Sequence, residues 1–108
     1  MNRLFIYGSL QPGGPNEHVL GSVDGEWEPA VIKGRLIDSG WGASLGYPGL
    51  VIDDEGVEIP GYVFSSPNLQ SKWDELDELE GRDYERTIAE VALANGSFVR
   101  VHVYILRD

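Results

Sequence analysis

The sequence has no cysteine, one methionine and two histidines, and its 8 lysines and arginines face 18 aspartates and glutamates. Without cysteine there is no disulfide framework, no thiol nucleophile and no thiolate zinc site. Two histidines, His18 and His102, argue against a His-rich metal centre. A formal charge of -10 disfavours nucleic acid, whose binders need basic surface to displace counterions. It disfavours an anionic membrane surface for the same reason. No apolar run approaches the roughly 20 residues of a membrane helix. The segment Met1 to Tyr7 lacks the apolar core and cleavage site of a secretory signal. These features suggest a soluble cytoplasmic protein.

At 108 residues the chain has room for one domain, spanning 1–108, with one modest core and one pocket. The 42% apolar and 24% charged fractions are close to the globular average and exclude global disorder. The 14 glycines and 6 prolines are spread as punctuation, cutting the chain into short elements.

Leu4 to Tyr7 reads as a buried strand ended by Gly8-Ser9. Gln11-Pro12-Gly13-Gly14-Pro15 is a loop. Ala30 to Ile37 reads as a strand with a bulge or close backbone approach at Gly34. Leu50 to Ile52 follows a Tyr47-Pro48-Gly49 turn. Ile59 to Phe64 is a further strand, with Pro60 placing its start near an edge. Ser66-Pro67 opens the one convincing helix, which Gly81 stops after Glu80. Thr87 to Leu93 and Phe98 to Leu106 alternate around Asn95-Gly96, a strong hairpin signal. Strands with a lone helix inserted before the final hairpin predict an α+β fold, and closure into a small barrel would remove exposed edges.

The helix carries the most informative pattern. At about 100° per residue with Leu69 at zero, Trp73 falls at about 40°, Leu76 at about -20° and Leu79 at about -80°, defining the buried face. Glu78, Asp74 and Glu75, at about 180°, 140° and -120°, point to water, while Asp77 sits on the flank at about 80°. The acidic run from Asp74 to Glu78 therefore reads as a solvated face. Glu80 falls at about 20°, inside the apolar stripe. Burial and the negative end of the helix dipole would both raise its pKa, as a general base near neutral pH requires. The alternative is a frayed helix end that lets Glu80 swing into solvent.

Tyr7-Gly8-Ser9-Leu10 offers the second feature. A sharp turn at Gly8 would leave successive N–H groups pointing one way, a nest for a carboxylate or oxyanion that needs no cationic side chain. The alternative is an ordinary strand-ending turn.

Tyr7-Gly8-Ser9-Leu10, with Leu79-Glu80-Gly81-Arg82-Asp83-Tyr84-Glu85-Arg86 some seventy residues later, resembles the gamma-glutamylcyclotransferase-like family, which includes the gamma-glutamylamine cyclotransferases. Gly34-Arg35-Leu36, Gly46-Tyr47-Pro48-Gly49-Leu50-Val51 and Gly61-Tyr62-Val63-Phe64 extend the likeness through the middle of the chain. Asn16 and His18 are similar to an Asn-His pair after the first loop, here interrupted by Glu17. The resemblance implies a small mixed barrel of five to six strands with one main helix and a pocket at one end. It implies Glu80 as the catalytic acid-base group, with Tyr7, Gly8, Ser9, Leu10 and Tyr84 holding substrate. The implied reaction turns a γ-glutamyl amine or γ-glutamyl amino acid into 5-oxoproline and a free amine, with no metal, nucleotide or redox cofactor. The chain stops at Arg107-Asp108, directly after the last expected strand, where many relatives continue; the expectation is a more open pocket, with substrate choice left open. A non-catalytic small-molecule-binding barrel of the same fold is the competing reading.

Arg82 and Arg86 read as surface ion-pairing groups or substrate contacts. His102 shares a strand face with Phe98, Arg100 and Tyr104. Trp27 and Trp41 read as exposed anchors or pocket walls.

Overall fold

The structure, a computed structural model, describes residues 2–7, 20, 24–37 and 49–106. Within them run strands β1 (Arg3–Ile6), β2 (Glu26–Ile37), β3 (Gly49–Ile52), β4 (Val57–Ser65), β5 (Tyr84–Leu93) and β6 (Phe98–Leu106). Helix α1 (Trp73–Glu80) lies between β4 and β5, with a 3₁₀ turn at Leu69–Lys72 before it and another at Gly81–Asp83 after it.

Five strands close on themselves. β1 pairs antiparallel with β4 (Leu4↔Phe64) and parallel with β6 (Leu4↔His102). β4 pairs with β2 from Glu26↔Ser65 to Gly34↔Val57, and β6 with β5 from Tyr84↔Leu106 to Ala92↔Phe98. The ring closes where Ala30 and Val31 of β2 meet Leu93 and Ala92 of β5. β3 is an extra strand on β2, in register from Gly34↔Ile52 to Ile37↔Gly49. This is the expected mixed barrel with one inserted helix.

Strand alternation sorts the apolar side chains into two layers. Phe5, Ile32, Leu50, Ile59, Val63, Val91, Val101 and Val103 fill the barrel interior. Leu4, Ile6, Phe64, Tyr84 and Tyr104 point outward and meet Leu69, Trp73 and Leu76 of the helical segment, with Leu20. Phe5 and Phe64 are fully buried, one in each layer, each adding about 1.5–3 kcal/mol of transfer free energy. The wheel is right about its faces: Leu69, Trp73 and Leu76 are buried, and Asp74, Glu75 and Glu78 are exposed.

Several boundaries differ from the sequence reading; β4, for one, runs Val57–Ser65 rather than Ile59 to Phe64. β2 begins at Glu26 rather than Ala30, carrying Pro29 inside a paired strand opposite Tyr62. β5 begins at Tyr84 rather than Thr87. Ser66-Pro67 does not start an α-helix, because Ser66, the residue after β4, is tied back to the N-terminal segment: its N–H donates to the Asn2 carbonyl at 3.0 Å. Its hydroxyl donates to the Asp24 carbonyl and accepts from the Asn68 N–H, capping a turn instead. Only at Trp73 does the segment become α-helical.

Gly34 is a close-approach point, as expected. A Cβ there would strike the Val51 carbonyl oxygen and come within 2.9 Å of Leu50 Cδ1. Pro60 pairs with Val31 but lies two positions beyond Tyr62, where the β1 ladder ends. Its missing N–H therefore costs no bond to β1.

Candidate active site

Alternation turns Phe5 and Tyr7 into the barrel while Leu4 and Ile6 face the helix. Tyr7 stacks on Phe5, with ring centroids 6.3 Å apart and planes at 23°. Its hydroxyl donates to the Tyr104 carbonyl at 2.7 Å and accepts from the Leu50 N–H at 3.1 Å. Burial pushes the Tyr7 hydroxyl well above its ordinary range, partly offset by the Leu50 N–H, while the Glu80 charge raises it further. At neutral pH Tyr7 is therefore a fixed, uncharged donor.

Glu80 is the last residue of α1 and is half-buried. Burial raises its carboxyl from 4.5 to about 7. The sequence argument invoked both burial and the helix dipole; burial is the cause the geometry supplies. Glu80 also acts electrostatically on Tyr7, the residue after β1, and on Tyr104 of β6, so these three groups form one cluster. Tyr84, buried at the start of β5, belongs to it too, since its hydroxyl also opposes ionisation of Tyr7. The structure thus brings Tyr7, Glu80 and Tyr84 together. Gly8, Ser9, Leu10, Asn16, His18 and Trp41 lie outside the described residues.

Helix α1 ends where it does because of Gly81, whose φ of 74° and ψ of -159° lie in a region open essentially to glycine alone. Its N–H bonds back to the Asp77 carbonyl. The chain then leaves the helix axis and delivers Tyr84 into β5.

Beside this cluster lies a second one. Asp77 Oδ1 accepts the Tyr104 hydroxyl at 2.6 Å. Arg86 engages both carboxylate oxygens of Asp77, Nε at 3.1 Å from Oδ1 and an Nη at 3.2 Å from Oδ2. The Arg86 guanidinium lies 4.4 Å from the Trp73 ring centroid, and His102 meets the same ring edge-on at 4.6 Å. Burial first, and Arg86 second, hold His102 below its ordinary pKa.

Asp77 is exposed, as the reading of a solvated acidic face requires, and it is also the acceptor that ties α1 to β5 and β6. Its flank position on the wheel was the available signal, together with the outward parity of Tyr104. Arg86 is the ion-pairing group expected, with Asp77 as its partner. Trp27 packs against Phe64, with ring centroids 4.7 Å apart, and so serves as a wall of the outer layer. Among the described residues no group of three His, Asp or Glu side chains is arranged to hold a metal ion. No helix among them is long and apolar enough to cross a membrane.

Comparison with known proteins places this geometry. YkqA from Bacillus subtilis superposes with a TM-score of 0.71 over 98% of this chain and 36% of its own, at 25% identity. An AIG2-like protein from Mus musculus superposes with a TM-score of 0.72 over 97% of this chain and 76% of its own; at 20% identity it speaks for the fold alone. In sequence, a protein from Niallia circulans named gamma-L-glutamyl-butirosin B gamma-glutamyl cyclotransferase is 35% identical over 81 residues, 75% of this chain. The chain spans about half (49%) the length of that curated relative. The family model described as gamma-glutamyl cyclotransferase, AIG2-like, matches residues 4–108. The chain, with its closed barrel and inserted helix, belongs to the gamma-glutamyl cyclotransferase, AIG2-like family.

Proposed function

We propose that the protein is a cyclotransferase that releases 5-oxoproline from a γ-glutamyl amine or γ-glutamyl amino acid, with Glu80 as general base. The observation that carries this reading is the half-buried Glu80 carboxyl raised to about 7 beside the Tyr7 hydroxyl. Family membership supports the reaction type, and the Niallia circulans relative is named for a γ-glutamyl compound.

The α-nitrogen of the glutamyl group attacks its own γ-carbonyl carbon. The new C–N bond closes a five-membered lactam, and the bond from the γ-carbon to the departing nitrogen breaks. No water is consumed. Attack requires an uncharged amine, so the α-ammonium must first lose a proton. An ordinary glutamate, at about 4.3, is poorly matched to an α-ammonium beside a free carboxylate, which titrates several units higher; each unit of mismatch costs about 1.4 kcal/mol. A carboxyl near 7 narrows that gap. Glu80 accepts the proton and returns it to the departing nitrogen, so the enzyme ends each cycle unchanged. Ring closure is already intramolecular, so the remaining gain lies in holding the folded, near-attack conformer. In this reading Tyr7 and Tyr84 line the site, and the backbone N–H groups of Gly8, Ser9 and Leu10 hold the α-carboxylate or the developing oxyanion.

The test is 5-oxoproline release from a panel of γ-glutamyl amines and γ-glutamyl dipeptides, with the α-glutamyl isomers as controls. The reading requires turnover of at least one γ-linked compound and none of the α-linked ones, which cannot form the five-membered ring this way. Tight binding of a panel member without product would favour the non-catalytic barrel.

A further inference from the structure

We propose that the Asp77–Tyr104 hydrogen bond is a positioning device that fixes Glu80 relative to Tyr7, so that Asp77 and Tyr104 govern turnover through Glu80. The proposal rests on the reading of Glu80 as the base.

Helix α1 has only eight residues, with no side-chain hydrogen bond at its N-cap and no basic residue in its last turn. So short a helix has little stability of its own, and its end stays where outside contacts hold it. Trp73 and Leu76 bury one face, but apolar contacts are non-directional. Asp77 carries three directional ties in the last turn. Its carboxylate takes the Tyr104 hydroxyl and the two-pronged Arg86 contact, and its main-chain carbonyl takes the Gly81 N–H. Glu80 lies between Asp77 and Gly81 along this turn.

Tyr104 then links the two halves of the site. Its side chain holds the helix through Asp77, while its main-chain carbonyl accepts the Tyr7 hydroxyl at 2.7 Å. Base and Tyr7 are both referenced to one residue of β6. Among the described residues, Glu80 acts on Tyr7 just past β1 and on Tyr104 of β6; Tyr84 of β5 also acts on Tyr7, and Asp77 of α1 and Arg86 of β5 act on Tyr104.

Tyr104→Phe isolates the contact: it keeps the ring in the core and the carbonyl on Tyr7, and removes only the hydroxyl. Misplacing a reacting group by about 1 Å costs up to about 100-fold in rate. A folded Tyr104→Phe protein should lose about tenfold or more in kcat, with KM changed by less than about threefold. Independently of turnover, the Glu80 side-chain carboxyl carbon is titrated by NMR, its resonance identified by its absence in Glu80→Gln. The midpoint, near 7 in the wild type, should move toward 4.5 as the loosened helix end admits water. Asp77→Ala should act like Tyr104→Phe, and Asp77→Asn, which keeps an acceptor for Tyr104, should restore part of the loss. Should Tyr104→Phe fail to fold, the Asp77 pair is read in the same two ways.

A midpoint that stays put in the folded variants overturns the proposal, whether or not the rate falls. A midpoint that moves in a protein whose wild type releases no 5-oxoproline keeps the positioning device and removes the base.

Discussion

The Tyr7 hydroxyl and the Tyr104 carbonyl, 97 positions apart in sequence, are joined by a 2.7 Å hydrogen bond. The parallel ladder between β1 and β6 covers only Leu4↔His102 and Phe5↔Val103. Tyr7 extends that tie through its side chain and adds β3, whose Leu50 N–H it accepts. Tyr7→Phe would leave one buried carbonyl and one buried N–H without this partner. It should lower unfolding stability by about 1–3 kcal/mol, measured by urea denaturation at pH 7.

Glu80→Gln should stabilise the protein in alkaline solution while removing its activity. Below 4.5 the carboxyl is protonated in both folded and unfolded chains, so the substitution changes little. Between 4.5 and about 7 the unfolded chain loses its proton first, and the folded state is progressively penalised. Above that window the penalty is complete and reaches roughly 3 kcal/mol. Urea unfolding at pH 4 and pH 8 should therefore show near-equal stability at the lower pH and a more stable Glu80→Gln at the higher.

Gly81→Ala should damage both stability and the site. Nothing lies within 4 Å of a Cβ at this position, so no clash interferes with the comparison. The cost comes from φ of 74° with ψ of -159°, about 1–3 kcal/mol for a non-glycine residue. Relief of that strain would reposition Glu80. Thermal unfolding and the Glu80 titration should both shift in Gly81→Ala, whereas Asn95→Ala, in the distant hairpin turn, should leave the titration unchanged.

The order of strands and the inward acid could be read from the sequence because both follow from periodicity. Strand alternation separates Phe5 from Leu4 and Ile6, and the 3.6-residue period puts Glu80 on the face of Trp73 and Leu76. What escaped depends on partners distant along the chain. β2 extends back to Glu26 because β4 pairs with it across Pro29. Ser66 is the residue type of a helix cap, but its N–H is tied to the Asn2 carbonyl, far away in sequence. Asp77 looks like one more solvated acid until β5 and β6 bring Arg86 and Tyr104 to it. Its flank position pointed to an intermediate environment; the identity of its partners required the fold.

The central claim is that Glu80 carries the proton in lactam formation. The most direct measurement is the single-turnover rate of 5-oxoproline formation at pH 8, comparing the wild type with Glu80→Gln on a γ-linked compound that the wild type turns over. The wild-type rate should rise with pH and level off above about 7. Glu80→Gln should be slower by about 100-fold to 10,000-fold, with an unchanged circular dichroism spectrum. A Glu80→Gln rate within about twofold of the wild type would contradict the account, because general-base catalysis cannot be lost at so small a cost.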